Sequence, residues 1–436
     1  MRDFLGSNIV NVKAHNMQAV LLSLLAADAN QDQPLSRIQL AQKTNLSNTT
    51  ITNLVAELIE QGMVSEDRPS RTADGEEQNR PVGRPRTGLR LVPNARYVVG
   101  IHIGVGLYRV ALMNLRAEML CSEMVNVDIQ TSAEQVLERI GHSTLEMLAQ
   151  CAVKRERVLG IGVGASGLVD VQNGVNLFAP NLNWHNIPIR DMLQSRVGLP
   201  VVVENNVRAM ALGEAYFGQG REAQSLAFVY GRVGVGAGLV VGHELFRGSS
   251  TGAGEIGHMI LAPEQGEACR CGNRGCLETL VAEPVLLHKA HQAAAANPAG
   301  LLADLLKQPD ETPPIERLFQ AARLGDADAL HIVESAARWL GIALANLVNI
   351  FNPELIILGG MFAQGRDLIL PVARHTLRQA AFARLGEKVR LETTRFGWRA
   401  GVTGAAALAL LTFFYQQTSS IQATAAPAAL YTQPSP

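Results

Sequence analysis

Apolar residues recur with helical spacing over residues 15–63 of the chain. The first predicted helix ends at a polar break over residues 30–34 and carries on one face Val20, Leu21, Leu24 and Leu25. A second short helix fits residues 36–44, with Ser36 as its N-cap. After a tight break, a third runs over residues 49–61 with Ser47 or Asn48 as its cap, and Gly62 closes it. Three helices with a short turn before the last predict a helix-turn-helix.

The face of the third helix that is predicted to be exposed is rich in short polar side chains. It carries Ser47, Asn48, Thr49, Thr50, Thr52 and Asn53. Such side chains can hydrogen-bond phosphates or base edges without steric bulk, which favours a DNA-recognition helix with Thr49, Thr50 and Asn53 facing the major groove. The alternative is a solvated helix that happens to have this composition.

A polar stretch between two short strand-like pieces follows the third helix, over residues 63–92. Its acidic residues cluster at the tip, and the basic run Gly83-Arg84-Pro85-Arg86 lies towards its C-terminal side. A hairpin wing would place Arg84 and Arg86 at the DNA backbone or the minor groove, with proline keeping the chain extended. Alone, the stretch would fit a solvated linker; beside the three helices it predicts a winged helix.

Beyond residue 95 the pattern is α/β. Short apolar runs suited to buried strands alternate with helical stretches, and this alternation implies sheets with helices packed on their faces. The strand-like runs are Tyr97–Ile103, Tyr108–Asn114, Val158–Val163, Val201–Val203, Leu226–Tyr230 and Leu355–Leu358. The helical stretches are Ser132–Ala152, Val207–Phe217 and Ala329–Phe351. The apolar run 400–415 is short for a membrane span and predicts a buried helix, whereas the composition of residues 416–436 predicts disorder.

Composition narrows the function classes. Of 436 residues, 47% are hydrophobic and 18% charged, which is enough apolar material for globular cores. The 38 basic and 39 acidic side chains give a net charge of -1, so any nucleic-acid contact must come from a local patch. The N-terminus shows no apolar segment of a secretory signal, and we expect a cytoplasmic protein without membrane contact.

Three of the five cysteines lie within eight positions, close to a histidine. The motif Gly254-Glu255-Ile256-Gly257-His258 precedes Cys269, Cys271 and Cys276. One imidazole and three thiolates suit tetrahedral Zn²⁺, and four protein ligands leave no open position, so the predicted zinc is structural. Three free thiols in a loop are the alternative. Cys121 and Cys151 are isolated in the sequence and are expected to be packing residues.

Two carboxylates accompany this ligand set. Glu255 lies three positions before His258, and Glu278 lies two positions after Cys276. Acceptors held in place by a metal-bound loop suit a hydroxyl-rich ligand, because each desolvated sugar hydroxyl needs a partner. The other possibility is that both glutamates are solvated surface residues.

The order of these motifs resembles the ROK proteins (repressors, open reading frames and sugar kinases), in particular their transcriptional-regulator branch. The resemblance covers about residues 10–415 and includes GIGVGASGLVD (160–170), VENNVRAMALGE (203–214), the GEIGH and CxCGxxGCxE elements, and NIFNPELIILGG (349–360). It implies a two-lobed, actin-like (ribonuclease H-like) ATPase-type fold with a sugar cleft between the lobes. It also implies zinc on His258, Cys269, Cys271 and Cys276, and sugar hydroxyls at Asn205, Glu255, His258 and Glu278, with Asn206 in the same cleft.

With this resemblance, the expected organisation is four segments. The winged helix occupies residues 1–92, and lobe 1 occupies 93–206, completed by a helix near 398–415. Lobe 2, with the zinc site, occupies 207–397, and 416–436 form the tail.

The motifs for phosphoryl transfer depart from those of the family's kinases. Those kinases carry Asp-x-Gly-Gly-Thr at the first phosphate loop, where this chain has His102-Ile103-Gly104-Val105-Gly106. In the second loop, Val233 stands at the threonine position, and the base position holds Asn206, an amide that cannot accept a proton at neutral pH. The loss of metal carboxylate, phosphate contact and base predicts that kinase activity is gone. The glycine loops are then best explained as inherited tight turns.

The sequence therefore predicts a sugar-responsive transcriptional regulator, most simply a repressor of carbohydrate-utilisation genes. Its partners would be operator DNA and a sugar effector, and a homodimer or dimer of dimers would match a two-fold operator. An active sugar kinase with a fused DNA-binding domain is the main alternative. A constitutive DNA binder with a vestigial cleft is another.

Overall fold

The computed structural model describes residues 9–29, 34–67, 87–249, 252–264, 266–308 and 311–416. The chain divides into two compact units, residues 1–92 with 411–436, and residues 93–410. Arg84, Arg86 and the predicted disordered tail beyond Gln416 lie outside the described residues.

The first unit contains the predicted three helices and a two-stranded sheet. Its elements are α1 (Ile9–Ala29), α2 (Arg37–Thr44), α3 (Asn48–Glu60), β1 (Val64–Asp67), β2 (Gly88–Leu91) and a π-helical turn, Leu411–Tyr415. The Ser36 side chain accepts a hydrogen bond from the Gln39 amide, and the Gln39 side chain accepts one from the Ser36 amide, which forms a capping box at α2. The predicted caps are confirmed, including Gly62, whose φ of +69° requires the left-handed region that favours glycine.

The two strands predicted beside the polar stretch are present as an antiparallel pair. Val64 lies opposite Leu91 and Asp67 opposite Gly88, while Leu35 forms a bridge to Leu89. The polar residues 68–86 between the strands lie outside the described residues. Helices and strands share one apolar core that includes Val20, Leu24, Leu40, Ile51, Val55, Leu58 and Leu89. The winged-helix topology therefore follows from the helical periodicity and the two short strands.

The N-terminal half of the second unit is built on a five-stranded sheet with the order β10-β6-β3-β4-β5. Its strands are β3 (Tyr97–Gly104), β4 (Leu107–Asn114), β5 (Met119–Asn126), β6 (Val158–Ala165) and β10 (Val201–Asn205). β3 is antiparallel to β4 but parallel to β6, which is parallel to β10. A small antiparallel sheet consists of β7 (Leu168–Asp170), β8 (Val175–Ala179) and β9 (Trp184–Ile187). The helices are α4 (Ala133–Gln150), α5 (Ile189–Val197) and α6 (Asn206–Phe217).

A second five-stranded sheet, with the order β13-β12-β11-β14-β15, forms the other half of this unit. Its strands are β11 (Ser225–Gly231), β12 (Val235–Val241), β13 (Glu244–Leu245), β14 (Leu355–Gly360) and β15 (Arg390–Thr393). The helices that follow β13 are α7 (Glu278–Val281), α8 (Glu283–Ala296), α9 (Leu301–Leu306), α10 (Pro314–Arg323), α11 (Ala327–Phe351), α12 (Met361–Gln364), α13 (Arg366–Ala380), α14 (Leu385–Lys388) and α15 (Ala400–Leu410). Each sheet adds two parallel strands to a three-stranded antiparallel meander, so the predicted two-lobed α/β fold is confirmed.

Helix α15 packs on the first sheet at very short range. A Cβ added to Gly162 on β6 would lie 1.9 Å from the Ala405 carbonyl oxygen, and one added to Gly100 on β3 would lie 2.3 Å from that of Val402. All eleven residues of α15 are buried. The helical segment 397–415 is apolar and long enough to cross a membrane, but 72% of it is buried, as is typical of a core helix.

Cys121 and Cys151 are joined by a disulfide with an S–S distance of 2.06 Å. The prediction that they are isolated packing residues is therefore wrong. Cys121 lies on β5 and Cys151 directly follows α4, so the chain returns after α4 to the edge of the sheet where Cys121 lies. This pairing depends on tertiary structure, which the sequence spacing did not reveal.

Candidate ligand cleft and metal-binding loop

A cavity of about 310 Å³ lies in the second unit, and both five-stranded sheets contribute to its walls. Strands and helix starts supply His102, Ser166, Asn205 and Asn206 from the first half. The second half supplies two segments, which we call the glycine loop (231–236) and the metal loop (254–278). The volume suits a small ligand such as a monosaccharide or its derivative.

The metal loop is folded tightly because its glycines allow backbone contacts that no other residue permits. Gly254 has φ +95°, and a Cβ there would lie 1.9 Å from the Ala237 carbonyl oxygen of β12. Gly275 has φ +72° and lies equally close to the Ala262 carbonyl. The Cys269 amide donates to the Asn273 carbonyl at 2.7 Å, which closes the turn that carries the cysteines. The spacing of the motif is thus explained by its local backbone geometry.

His258, Cys269, Cys271 and Cys276 come together in this loop. Their ligand atoms all lie within 4.8 Å of one another. Cys271 Sγ and Cys276 Sγ are 3.7 Å apart, as are Cys269 Sγ and His258 Nδ1. A tetrahedral Zn²⁺ with Zn–S bonds of about 2.3 Å places two sulfur atoms about 3.8 Å apart, so the observed cluster has the dimensions of a zinc site.

The three thiols differ in acidity. Burial raises the pKa of Cys269 and Cys276, that of Cys276 to about 12. A hydrogen bond with the Asn273 backbone lowers the pKa of Cys271 to about 7. Clustered thiolates repel one another in a partly buried loop, and a bound cation is the usual means of compensating that repulsion.

Two carboxylates beside this cluster face the cleft. Glu278 Oε2 accepts a hydrogen bond of 3.0 Å from the Val235 amide, which ties the metal loop to the glycine loop. The Glu255 carboxylate faces the cleft, and protein surrounds it on its other sides. Burial raises the pKa of Glu255, although the positive charges of Arg208 and His258 act to lower it. The resemblance placed both glutamates and His258 in one cleft, and the structure brings the three together there.

Asn205 and Asn206 lie where β10 passes into α6, and both line the cleft. The Asn205 oxygen caps α6 by accepting from the amides of Val207 and Arg208, and its Nδ2 donates to the Gly167 carbonyl at 2.9 Å. Most of its hydrogen-bonding capacity is therefore used inside the protein. Asn206 donates through Nδ2 to Ser166 Oγ at 3.0 Å, which leaves its carbonyl oxygen for a ligand.

A buried ion triad supports this turn from behind. Glu204 is fully buried and accepts from Arg208 and Arg247, each at 2.8 Å. Arg247 belongs to the second half of the unit, so the triad ties β10 to the segment that leads into the metal loop. The sequence gives no sign of this triad, because Glu204 and Arg247 lie 43 positions apart.

Further cleft residues also escaped the sequence analysis. Ser166 lies in the turn after β6, and Arg232 lies in the glycine loop next to Val233. At the rim, Arg270 donates to Asn181 Oδ1 at 2.8 Å. His102, which the sequence places in the first phosphate-loop motif, is 4% exposed on β3 and also lines the cleft.

The DNA-facing residues predicted on α3 lie at its N-terminal end. Ser47 accepts from the Thr50 amide at 3.1 Å as the N-cap, and the two hydroxyls are 2.9 Å apart, so both residues serve the cap. Asn48, Thr49 and Asn53 are exposed. These three residues have the most freedom to contact another molecule.

The family of the chain can now be stated. Residues 98–411 match the ROK family, and residues 19–68 match the IclR helix-turn-helix domain. The chain belongs to the ROK family. Because the ROK match covers well over half of the chain, the resemblance seen in its motifs is confirmed.

The similar proteins include regulators and kinases of this family. The xylose repressor of Caldicellulosiruptor bescii is 31% identical over 376 residues, which cover 86% of this chain and 92% of that protein. One similar structure is the crystal structure of a ROK family transcriptional regulator, a homologue of the E. coli Mlc protein. Its sequence is 28% identical, its TM-score is 0.75, and the match covers 92% of this chain and 97% of the regulator's chain. A ROK glucokinase from Streptomyces griseus, solved with glucose and AMPPNP, is 31% identical with a TM-score of 0.64, but covers 72% of this chain and 98% of its own.

Proposed function

We propose that this ROK protein is a sugar-responsive, DNA-binding transcriptional regulator, a repressor of carbohydrate-utilisation genes that works in the cytoplasm. The observation that carries the proposal is the joining of a helix-turn-helix unit to a ROK cleft in one chain, along nearly the whole length of a ROK regulator of known structure. A sugar changes DNA affinity only if it binds one arrangement of the protein better than another.

The first unit would bind operator DNA through α3. Asn48, Thr49 and Asn53 would contact base edges, while Ser47 and Thr50 would hold the helix start and lie near the phosphates. Arg84 and Arg86 would contact the DNA backbone or minor groove from the wing. A homodimer, or a dimer of dimers, would present two such helices to a two-fold operator.

Zinc is the metal that the cluster fits. His258, Cys269, Cys271 and Cys276 would hold it in a closed tetrahedral site, and the ion would keep the metal loop folded without taking part in a reaction. The cluster spacing and the acidity of Cys271 support this assignment.

The sugar would lie in the cleft beside the metal loop. Glu255 and Glu278 would accept hydrogen bonds from its hydroxyls, His258 would present the edge of its ring, and Asn206 would contribute its carbonyl oxygen. Asn205 would act mainly by capping α6 and offer its one remaining N–H.

The protein is not expected to be an enzyme. His102 and Val233 replace the side chains that the phosphate loops of family kinases use, and the Asn206 amide replaces the base. Burial, with the nearby charges of Arg109 and Arg232, lowers the pKa of His102 to about 3 and keeps the imidazole neutral. An imidazole of either charge state offers nitrogen in place of the anionic oxygen that magnesium prefers.

The proposal can be tested with the purified full chain. A thermal-shift screen of sugars should find one that raises stability, since a ligand at about 100 times its Kd adds about 2.7 kcal/mol. The same sugar should change the affinity for operator DNA found by selection from the producing genome. Turnover of ATP with any hexose would instead establish the kinase alternative, and stable DNA binding without any sugar response would establish a constitutive binder.

A further inference from the structure

We propose that the cleft has a second sugar subsite at its mouth, where Phe178 stacks against the second ring of a disaccharide, so that the effector is a disaccharide. This inference rests on the proposed function, because it names the class of sugar that binds in the same cleft. It is drawn from an exposed aromatic ring and from the polar side chains beside it.

Phe178 is an exposed aromatic residue in a hairpin whose other large apolar side chains are mostly buried. It lies on β8, lines the cavity and is 45% exposed. The hairpin of β8 and β9 is anchored by three buried neighbours, Ala179, Leu182 and Trp184. A phenyl ring that stays half in water forgoes much of the free energy that its burial would contribute. Such a ring at the wall of a cleft indicates a contact surface for a ligand.

The ring is held in place by the register of its strand. Phe178 lies directly opposite Leu168 of β7 on one side and His185 of β9 on the other, so the three side chains share one face of the small sheet. The ring centres of Phe178 and His185 are 5.1 Å apart, and Leu168 also lines the cavity. A fixed, flat apolar surface of this kind suits the C–H face of a pyranose ring, whose hydroxyls then point to the edges.

The main chain at Phe178 is in contact with the proposed sugar subsite. Gly167 has φ +99°, and a Cβ there would overlap the Phe178 carbonyl oxygen, so the two backbone segments touch. The Gly167 carbonyl in turn accepts the 2.9 Å hydrogen bond from Asn205 Nδ2. Because Phe178 is exposed to solvent as well, it lies where the cavity opens, beside the sugar that Asn205 and Asn206 would contact.

Polar side chains lie close to the exposed ring. Asn181, in the turn between β8 and β9, accepts a 2.8 Å hydrogen bond from the exposed Arg270 of the metal loop. A Cβ built on Gly234 would lie 3.6 Å from Asn181 Nδ2 and 2.9 Å from Glu278 Oε2, so the turn reaches the carboxylate of the first subsite. A second ring on Phe178 would therefore find an amide and a guanidinium for its hydroxyls.

A monosaccharide would leave this surface unused. The cavity of about 310 Å³ would hold one ring beside Asn206, Glu255 and Glu278. A ring joined to it by a glycosidic bond has to lie at the opening, where Phe178 supplies an apolar face and the rim supplies hydrogen-bonding groups.

The test compares one-ring and two-ring sugars by calorimetry with the full chain. The probes are glucose and xylose, and the disaccharides cellobiose, maltose and xylobiose. We expect at least one disaccharide to bind about ten-fold or more tightly than its monosaccharide, because it adds an apolar contact and further hydrogen bonds. In Phe178→Ala that advantage should fall by about 5–20-fold, while Phe178→Trp should keep it and the monosaccharide Kd should stay within about two-fold.

Phe382→Ala is the matched control, because Phe382 is 74% exposed and lies outside the residues that line the cavity. It should keep the full advantage of the disaccharide. The inference is overturned, and the proposed function stands, if a monosaccharide binds as tightly as every disaccharide or if the advantage survives Phe178→Ala. Equal weakening of both classes by Phe178→Ala also overturns it, since the ring would then only support the fold. Absence of binding by every sugar, of one ring or two, overturns both.

Discussion

The metal loop and the glycine loop line the same cleft, but their side chains offer different chemistry to a ligand. The metal loop retains all four ligand side chains and both carboxylates in one place. The glycine loop carries Arg232 and Val233, and neither side chain offers the hydroxyl that we expect at the second phosphate loop of the family's kinases. On the proposed function, recognition of a ligand and reaction of that ligand would depend on separate segments, so that one could be lost without the other.

The largest expected effect comes from breaking the metal loop. Cys276→Ser removes a buried ligand, and we expect zinc content to fall well below one ion per chain. Structural zinc contributes about 10–16 kcal/mol of binding free energy in zinc-finger peptides. We therefore expect the Tm of the variant to fall by several degrees and its sugar affinity to fall more than ten-fold. Metal analysis and calorimetry measure both.

The matched control for that variant is Cys151→Ser, which removes a cysteine of the disulfide instead. It should leave zinc content unchanged. If Cys276→Ser also keeps its zinc and its sugar affinity, the metal loop does not hold the cleft together as proposed.

A narrower change in the same loop is Glu278→Gln, which keeps the shape but removes the charge. Hydrogen bonds to a charged group contribute about 1.5–3 kcal/mol, so sugar affinity should fall about 10–100-fold while zinc content stays the same. Calorimetry with the sugar identified in the screen measures the change, and Glu334→Gln on the exposed side of α11 is the control. An unchanged Kd would remove Glu278 from the sugar site.

Outside the cleft, Asn53→Ala tests whether the two units have separate tasks. Loss of a base contact should weaken operator binding by about 1–3 kcal/mol and relax the preference at one base pair. Fluorescence anisotropy with operator variants measures this. Sugar affinity should not change, and equal weakening on every DNA sequence would mean that Asn53 contacts the backbone only.

The smallest expected effect comes from restoring one catalytic group. Asn206→Asp returns a carboxylate to the base position, but His102 and Val233 remain in the phosphate loops. Because this variant would still have neither a carboxylate for the metal nor a hydroxyl for the phosphates in these loops, we expect no phosphorylation of any hexose in a coupled ATP assay. Turnover by this single variant would show that the glycine loop still binds nucleotide productively.

The sequence predicted best those features that depend on neighbouring residues. Ser36, Ser47 and Gly62 begin or end helices through contacts within a few positions, so their roles are visible in the chain itself. The clustering of His258 with Cys269, Cys271 and Cys276 was predictable for the same reason, since the three cysteines lie within eight positions and one family motif supplies the histidine.

Features that depend on register between distant segments could not be found in this way. The pairing of Cys121 with Cys151 and the Glu204–Arg247 ion pair both join separate elements. The helix cap formed by Asn205 was also missed, because the resemblance assigned that side chain to the sugar alone. A single sequence predicts the helices and strands, but it does not predict which side chains of distant elements come into contact.

The contact of α15 with Gly100 and Gly162 has a mechanical consequence. Main chain lies directly on main chain there, and no side chain is present that could change rotamer to absorb a shift. The sheet and α15 must consequently move together as one rigid body. Any movement caused by ligand binding must therefore occur in the segments that connect this sheet and helix to the rest of the unit. Gly162→Ala should separate α15 from the sheet, because the added methyl group has no space.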